Sequence, residues 1–187
     1  MEDRTREIHG PVELRPHPSR WRRLLRHRWH EDSARSLLGA TEIARLEQRV
    51  ERSEHFHRGE IRVCVEGGLP WSYLWRRASA RERALALFGK LGVWDTEHNN
   101  GVLIYLLLAD RAIEIVADRG LAQRVAPQAW QAVLADLAPA LKAGRFEEGL
   151  AGAIHAVDGL LRVHFPLEPA QAAPADSNEL TNRPVVL

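Results

Sequence analysis

A three-layer α/β/α sandwich, with a small mixed sheet built around a central antiparallel hairpin, is the fold this sequence predicts, on three observations. The run from Gly101 to Leu108 is apolar without alternation, the pattern of a strand covered on both faces. Only Ala109, Asp110 and Arg111 separate it from a second strand-like run, too few for a crossover, so the two should pair as a hairpin. Around them the order reads helix, strand, helix, strand, strand, helix, helix, which places helices on both faces of a sheet.

Each element has its own signal. Thr41 is the expected N-cap of a first helix with Glu42 in its first turn; Ile43, Leu46, Val50 and Phe56 recur at helical intervals and Gly59 ends it. Ile61, Val63 and Val65 alternate with Arg62 and Cys64, which reads as a strand. Gly67, Gly68 and Pro70 then break the chain. Trp71, Tyr73 and Trp75 read as a loop or an extension of the strand. Ser79 and Glu82 form a capping-box pattern before a helix bearing Ala84, Leu85, Phe88 and Leu91. The long link from Val65 to Gly101 contains that helix and permits a right-handed crossover with parallel pairing. Pro127 opens a later helix, with Trp130, Val133, Leu134, Leu137 and Leu141 as its stripe; Pro139 should kink or shorten it. After Gly144 a last helix carries Phe146, Leu150, Ile154, Val157 and Leu161 up to Pro166.

The domain should therefore span 37–166, between a basic N-terminal extension over 1–36 and a loose tail over 167–187 rich in Pro, Ala and polar residues. The 187 residues suffice for one such core. A net charge of +1 gives no case for nucleic acid or for an acidic substrate. The one cysteine, Cys64, excludes an intramolecular disulfide and reads as a buried core thiol. The opening Met1-Glu2-Asp3 is not followed by an apolar signal region, and no run reaches the ~18 apolar residues of a membrane span, so the expected location is cytoplasmic.

Chemistry concentrates at the hairpin. Asp95, Glu97, His98, Asn99 and Asn100 precede its first strand and Asp118-Arg119 end its second, so hairpin pairing brings the two polar segments to one place. Hard oxygens of this kind suit calcium, and Asp95, Glu97, Asn99, Asn100 and Asp118 are its candidate ligands. The competing reading is a plain turn, in which Asn99, Asn100 and Gly101 supply left-handed conformations and Asp95 or Thr96 caps the loop. Asp118 and Arg119 are the candidate catalytic pair if the site hydrolyses phosphate esters, Asp118 holding a metal and Arg119 the phosphate; the alternative is pairing with neighbours at the sheet edge. No Ser-His-Asp order stands out, and His55 and His57, two apart, do not make a zinc pair.

Two further segments suggest contact surfaces. Trp71, Tyr73 and Trp75 with Arg76 and Arg77 have the composition of an interface hot spot, or else cover a sheet edge; Glu66 just before them could extend the hairpin site to this lip. Arg20 to Trp29 is basic, with Trp21, Leu24, Leu25 and Trp29 near helical spacing and the arginines, Arg22 and Arg23 among them, in between. It is either a lead-in helix packed on the domain or a patch for an anionic membrane surface or a protein partner, which would make the chain peripheral to the inner face of the membrane.

Between Thr41 and Phe165 a set of short pieces recurs in a specific order: Gly59-Glu-Ile-Arg-Val, Ala84 to Phe88, Asn100-Gly-Val-Leu-Ile, Asp110-Arg111, Glu114-Ile-Val-Ala-Asp-Arg-Gly, and Leu141-Lys-Ala-Gly-Arg-Phe-Glu-Glu-Gly-Leu150. In that order and spacing the chain resembles the TPM domain family, named for founding members in the thylakoid lumen and in a receptor-accessory protein, as a short bacterial-like form. The resemblance implies an α/β/α sandwich. Some members are described as acid phosphatases, some bind calcium, and others serve as interaction modules in photosystem repair or receptor assembly. Many are exported or membrane-anchored, and here the chain departs, as it does in its extended Trp94-to-Asn100 loop. The expected function is a binding or regulatory module, with calcium as the implied ion, acting on a protein partner or at a membrane face. The alternative is a metal-dependent acid phosphatase acting on phosphomonoesters.

Overall fold

A computed structural model describes Leu25, His27 and residues 38–167 and 179–187. The expectations for Arg22, Arg23, Trp21 and Trp29 lie outside the described residues.

The elements in chain order are α1 (Ala40–Glu54), β1 (Ile61–Glu66), α2 (Trp71–Trp75), α3 (Ala80–Lys90), β2 (Val102–Leu107), β3 (Ala112–Ala117), α4 (Arg119–Ala122), α5 (Pro127–Lys142), α6 (Phe146–His164) and β4 (Val185–Val186). The sheet runs β3-β2-β1-β4. β2 and β3 pair antiparallel, from Val102 opposite Ala117 to Leu107 opposite Ala112, and the turn is closed by Arg111 in a left-handed conformation (φ 50°). β1 lies parallel to β2, with Ile61 beside Val102 and Glu66 beside Leu107.

Strand alternation divides the core in two. Ile61, Val63, Val65, Val102, Ile104, Leu106, Ile113 and Ile115 face α1, α5 and α6, where Trp130, Leu134, Leu150 and Val157 meet them. Cys64, Leu103, Tyr105, Leu107 and Val116 face α2 and α3, packing with Leu74, Ala84, Leu87 and Val93. Every residue of β2 is buried, as its unbroken apolar run predicts. The fold is thus the α/β/α sandwich, with the hairpin and the parallel crossover in place.

Local features differ from the sequence reading. The first helix begins at Ala40 behind Gly39 and ends at Glu54, so Thr41 is inside it and Phe56 beyond it. The Trp71–Trp75 segment is a helical turn, not an extended one: the Pro70 carbonyl accepts from the amides of Tyr73 and Leu74, so the turn closes on itself. α5 continues past Pro139 to Lys142; a proline this close to the end forfeits one bond in a turn that frays in any case. At the end of the chain, residues 179–187 pack against the sheet. Val185 and Val186 add a parallel edge to β1, with Leu187 donating to the Val65 carbonyl and accepting from Gly67. No low-complexity pattern could announce this, because the pairing is carried by backbone atoms and by partners about 120 residues away.

Candidate functional site

Because β1 and β2 are parallel, the sheet has two distinct ends, about 20 Å apart for six residues at the usual strand rise. The polar residues sort to one or the other.

At the first end the hairpin ladder continues past its strands. Asp118 N–H donates to the Gly101 carbonyl (2.8 Å) and Gly120 N–H to that of Asn99 (2.9 Å). Gly120 permits the second of these contacts, since a Cβ there would lie 2.4 Å from the Asn99 carbonyl oxygen, while Gly101 admits the Val93 carbonyl, whose oxygen is 2.0 Å from where its Cβ would be. The segments 95–100 and 118–119 therefore meet, as hairpin pairing requires. Their side chains separate. Alternation continues from β2 and β3, so Asp118 leaves on the Leu103 and Val116 face and Asn100 on the Val102 and Ile104 face. Asp95 and Glu97 are exposed. His98 lies 3.8 Å from the Glu97 carboxylate. Asn99 is left-handed (φ 52°) and its Oδ1 accepts from Arg119 Nε at 2.8 Å. Thr96 Oγ1 caps the loop by accepting from the Asn100 amide, and Asn100 Nδ2 donates to the Arg58 carbonyl. Asp118 N-caps α4 through Oδ1, which accepts from the Arg119 amide at 2.7 Å.

Two oxygens here, Asn100 Oδ1 and Asp118 Oδ2, are buried without a protein hydrogen bond among the described residues. Burial raises the Asp118 carboxyl above its ordinary value, against the opposing pull of the Arg119 amide and charge. Calcium takes six to eight oxygens. Among the described residues no three His, Cys, Asp or Glu side chains gather into a group that could hold a metal ion.

Beside this end the C-terminal segment is strapped down. Glu60 accepts from the amides of Glu179 and Leu180 (both 3.3 Å), Arg62 donates to the carbonyls of Thr181 and Arg183, and Asn182 hydrogen-bonds Glu54. Burial raises the Glu60 carboxyl to about 7; burial and the nearby Glu60 raise that of Glu54 to about 8.

The second end holds the tryptophans, so Glu66 cannot extend the hairpin site as the sequence suggested. Glu66 is buried at the close of β1, and Arg83 from α3 grips both its oxygens (2.6 and 2.9 Å). Tyr105 from β2 donates its hydroxyl to Glu66 Oε2 at 2.6 Å. Burial opposes the Arg83 charge, but Glu66 more than restores it; burial and the same carboxylate keep the Tyr105 phenol protonated. Tyr73 lies under two guanidinium groups, Arg76 at 4.5 Å and Arg83 at 5.0 Å. Leu74 is buried, so the inner side of α2 is fixed. The outer side carries Trp71 and Trp75, 62 % and 66 % exposed, which at spacing i, i+4 share one helical face. His27 also docks here: its Nδ1 accepts from the Leu69 amide (2.9 Å), leaving Nε2–H to reach Asp110 at 3.1 Å.

In this helical turn Trp71 and Trp75 face out and Tyr73 faces in, an arrangement that a strand extension would not give. The Glu66–Arg83–Tyr105 network was missed. Its one signal was Glu66 itself, a carboxylate closing a mostly apolar strand. Cys64 is buried and its thiol is pushed up to about 12 by burial, as a core thiol should be.

Comparison with known proteins agrees with this architecture. The chain is similar to the BA42 protein of the psychrophilic bacterium Bizionia argentinensis, known from an NMR structure, with 26 % identity over 79 % of this chain and 94 % of that one and a TM-score of 0.67. No curated protein matches it. No helix among the described residues is long and apolar enough to cross a membrane. The TPM domain profile matches residues 32–160, well over half of the chain, with the hairpin at its centre. The protein belongs to the TPM domain family.

Proposed function

We propose that this TPM domain is a protein-binding module whose contact face is the outer side of α2, with Trp71 and Trp75 as its anchors. The observation that carries the reading is the pairing of an exposed tryptophan face with a clamped inner face. Large aromatics seated on a rigid element lose little entropy on binding and recur as interface hot spots. Trp71 and Trp75 lie on a five-residue helix whose Tyr73 and Leu74 are held from below, Tyr73 against the Glu66-bound Arg83. Arg76 beside them is held at the rim by Glu82 (3.0 Å) and stacks on Tyr73, which adds to the rigidity of the helix.

Retention of partners from a cell extract tests this. The double variant Trp71→Ala, Trp75→Ala should fold with nearly unchanged stability and lose partners that the parent chain retains. Equal retention by both chains contradicts the reading, and transfer of both to anionic vesicles points instead to a membrane face.

Cation binding at the hairpin end is a second reading, supported by Asp118 Oδ2 alone. A site with one protein oxygen and a shell of water should be weak, with a dissociation constant of about a millimolar or more. Calcium should then raise the melting temperature only at millimolar concentration, and Asp118→Asn should remove the gain. No gain at any concentration contradicts it. Phosphomonoester hydrolysis rests on family resemblance; turnover abolished by Asp118→Asn with the fold retained would replace the binding reading.

A further inference from the structure

Away from both ends of the sheet, a cleft of about 170 Å³ opens between α1 and α6. Three arginines line it: Arg49 and Arg52 from α1 and Arg162 from α6. One wall is apolar, with Ile154 buried and Phe56 54 % exposed just past the end of α1.

The arginines are not equivalent. Arg162 Nε is spent on Asp158 Oδ1 (2.7 Å), and its guanidinium lies 3.9 Å over the Phe56 ring. Arg52 Nε donates to the Gln48 carbonyl, which orients its planar head and leaves both terminal nitrogens as donors. Arg49 has no ion pair among the described residues. Two guanidinium groups thus remain for a ligand.

The floor is a hydrogen-bonded chain with a fixed direction. The Gly59 amide donates to His57 Nδ1 (3.2 Å), so the His57 proton sits on Nε2 and is donated to Ser53 Oγ at 2.8 Å. The Ser53 hydroxyl in turn donates to Asp158 Oδ1 at 3.0 Å. Ser, His and Asp are together here, but the histidine gives a proton to the serine and cannot take one from it. Burial lowers the His57 ring to about 4, which keeps it in this neutral state. The floor is therefore built to hold Asp158 and Arg162, with no activated nucleophile.

We propose that this cleft binds a small carboxylic acid with an apolar body, its carboxylate on Arg49 and Arg52 and its body against Phe56 and Ile154. Arg162 already offsets Asp158, so the charge left for a ligand comes from Arg49 and Arg52 alone, and the flat fork of each guanidinium matches a planar carboxylate as a bidentate partner. Size agrees, since a cavity of about 150 Å³ accommodates benzene.

Amide chemical-shift titration of the full chain with benzoate, benzyl alcohol and phenyl phosphate tests this. Benzoate should shift Ala151, Ile154 and His155 saturably, with a dissociation constant of about a millimolar as expected for so few atoms. Arg49→Ala with Arg52→Ala should weaken it about tenfold or more while the melting temperature holds; both side chains are exposed. Lys90→Ala, which removes an exposed charge elsewhere, should leave it unchanged. Absence of saturable shifts, equal binding of benzyl alcohol, tighter binding of phenyl phosphate, or an equal loss in Lys90→Ala would each overturn the proposal. Loss of tryptophan-face partners without loss of benzoate binding, or the reverse, separates this site from α2.

Discussion

Buried charge at Glu66 is tolerable because three donor atoms from two residues converge on it. Arg83 supplies a bidentate pair and Tyr105 a third hydrogen bond, so the desolvation of the carboxylate is matched by contacts. Removing one partner is costly for that reason. Arg83→Ala leaves Glu66 buried without its cation and should destabilise the fold by about 3 kcal/mol. A denaturant midpoint shift under about 0.5 kcal/mol would show that Glu66 is solvated or otherwise paired. Glu54 and Glu60 act on a different scale of pH. Burial raises both, to about 8 and about 7, from an ordinary value of 4.5. The folded chain then holds protons that the unfolded chain has released. The stability they contribute is complete below about pH 4.5 and is lost as pH rises through 7 and 8. Unfolding midpoints across this window should fall with pH, and Glu54→Gln should flatten the fall; a slope identical in parent and variant contradicts the assignment.

At the scale of elements, the C-terminal strand is the part with the most leverage for its length. It covers the β1 edge and satisfies Glu60, Arg62 and the backbone of Val65 and Gly67. Deleting 179–187 should cost about 2 kcal/mol or more from the partly buried Leu180, Val185 and Val186, and should expose an unpaired edge prone to association. A truncated chain as stable and monomeric as the parent would refute this. The same strand marks the limit of sequence reading. β2, β3 and the Ser79–Glu82 capping box were legible because each is written in neighbouring residues: an apolar run, a three-residue turn, a four-residue motif. β4 was not, because Val185 and Val186 become a strand only through a distant edge. Trp71 to Trp75 was misread because five residues carry too few periods to separate a helical turn from a strand.

For the whole molecule, the sheet's polarity organises function. Its hairpin end gathers the loop that attracted a metal reading. Backbone convergence there was predictable from strand order, but divergence of Asn100 and Asp118 depended on ladder register, which is fixed by the bonds from Asp118 N–H to Gly101 and from Gly120 N–H to Asn99. The opposite end carries a clamped helix with two tryptophans outward, and Ser53, His57 and Asp158 meet on a third surface because α1 and α6 pack together. Only the four-residue spacing of Ser53 and His57 hinted at that meeting. The face proposed here for partner contact is the outer side of α2. A photo-crosslinking side chain placed at position 71, at position 75 and, as a control, at Lys90 tests it most directly in living cells. The account predicts discrete adducts from 71 and 75 with little from 90; the same products from all three positions, or none from 71 and 75, would contradict it.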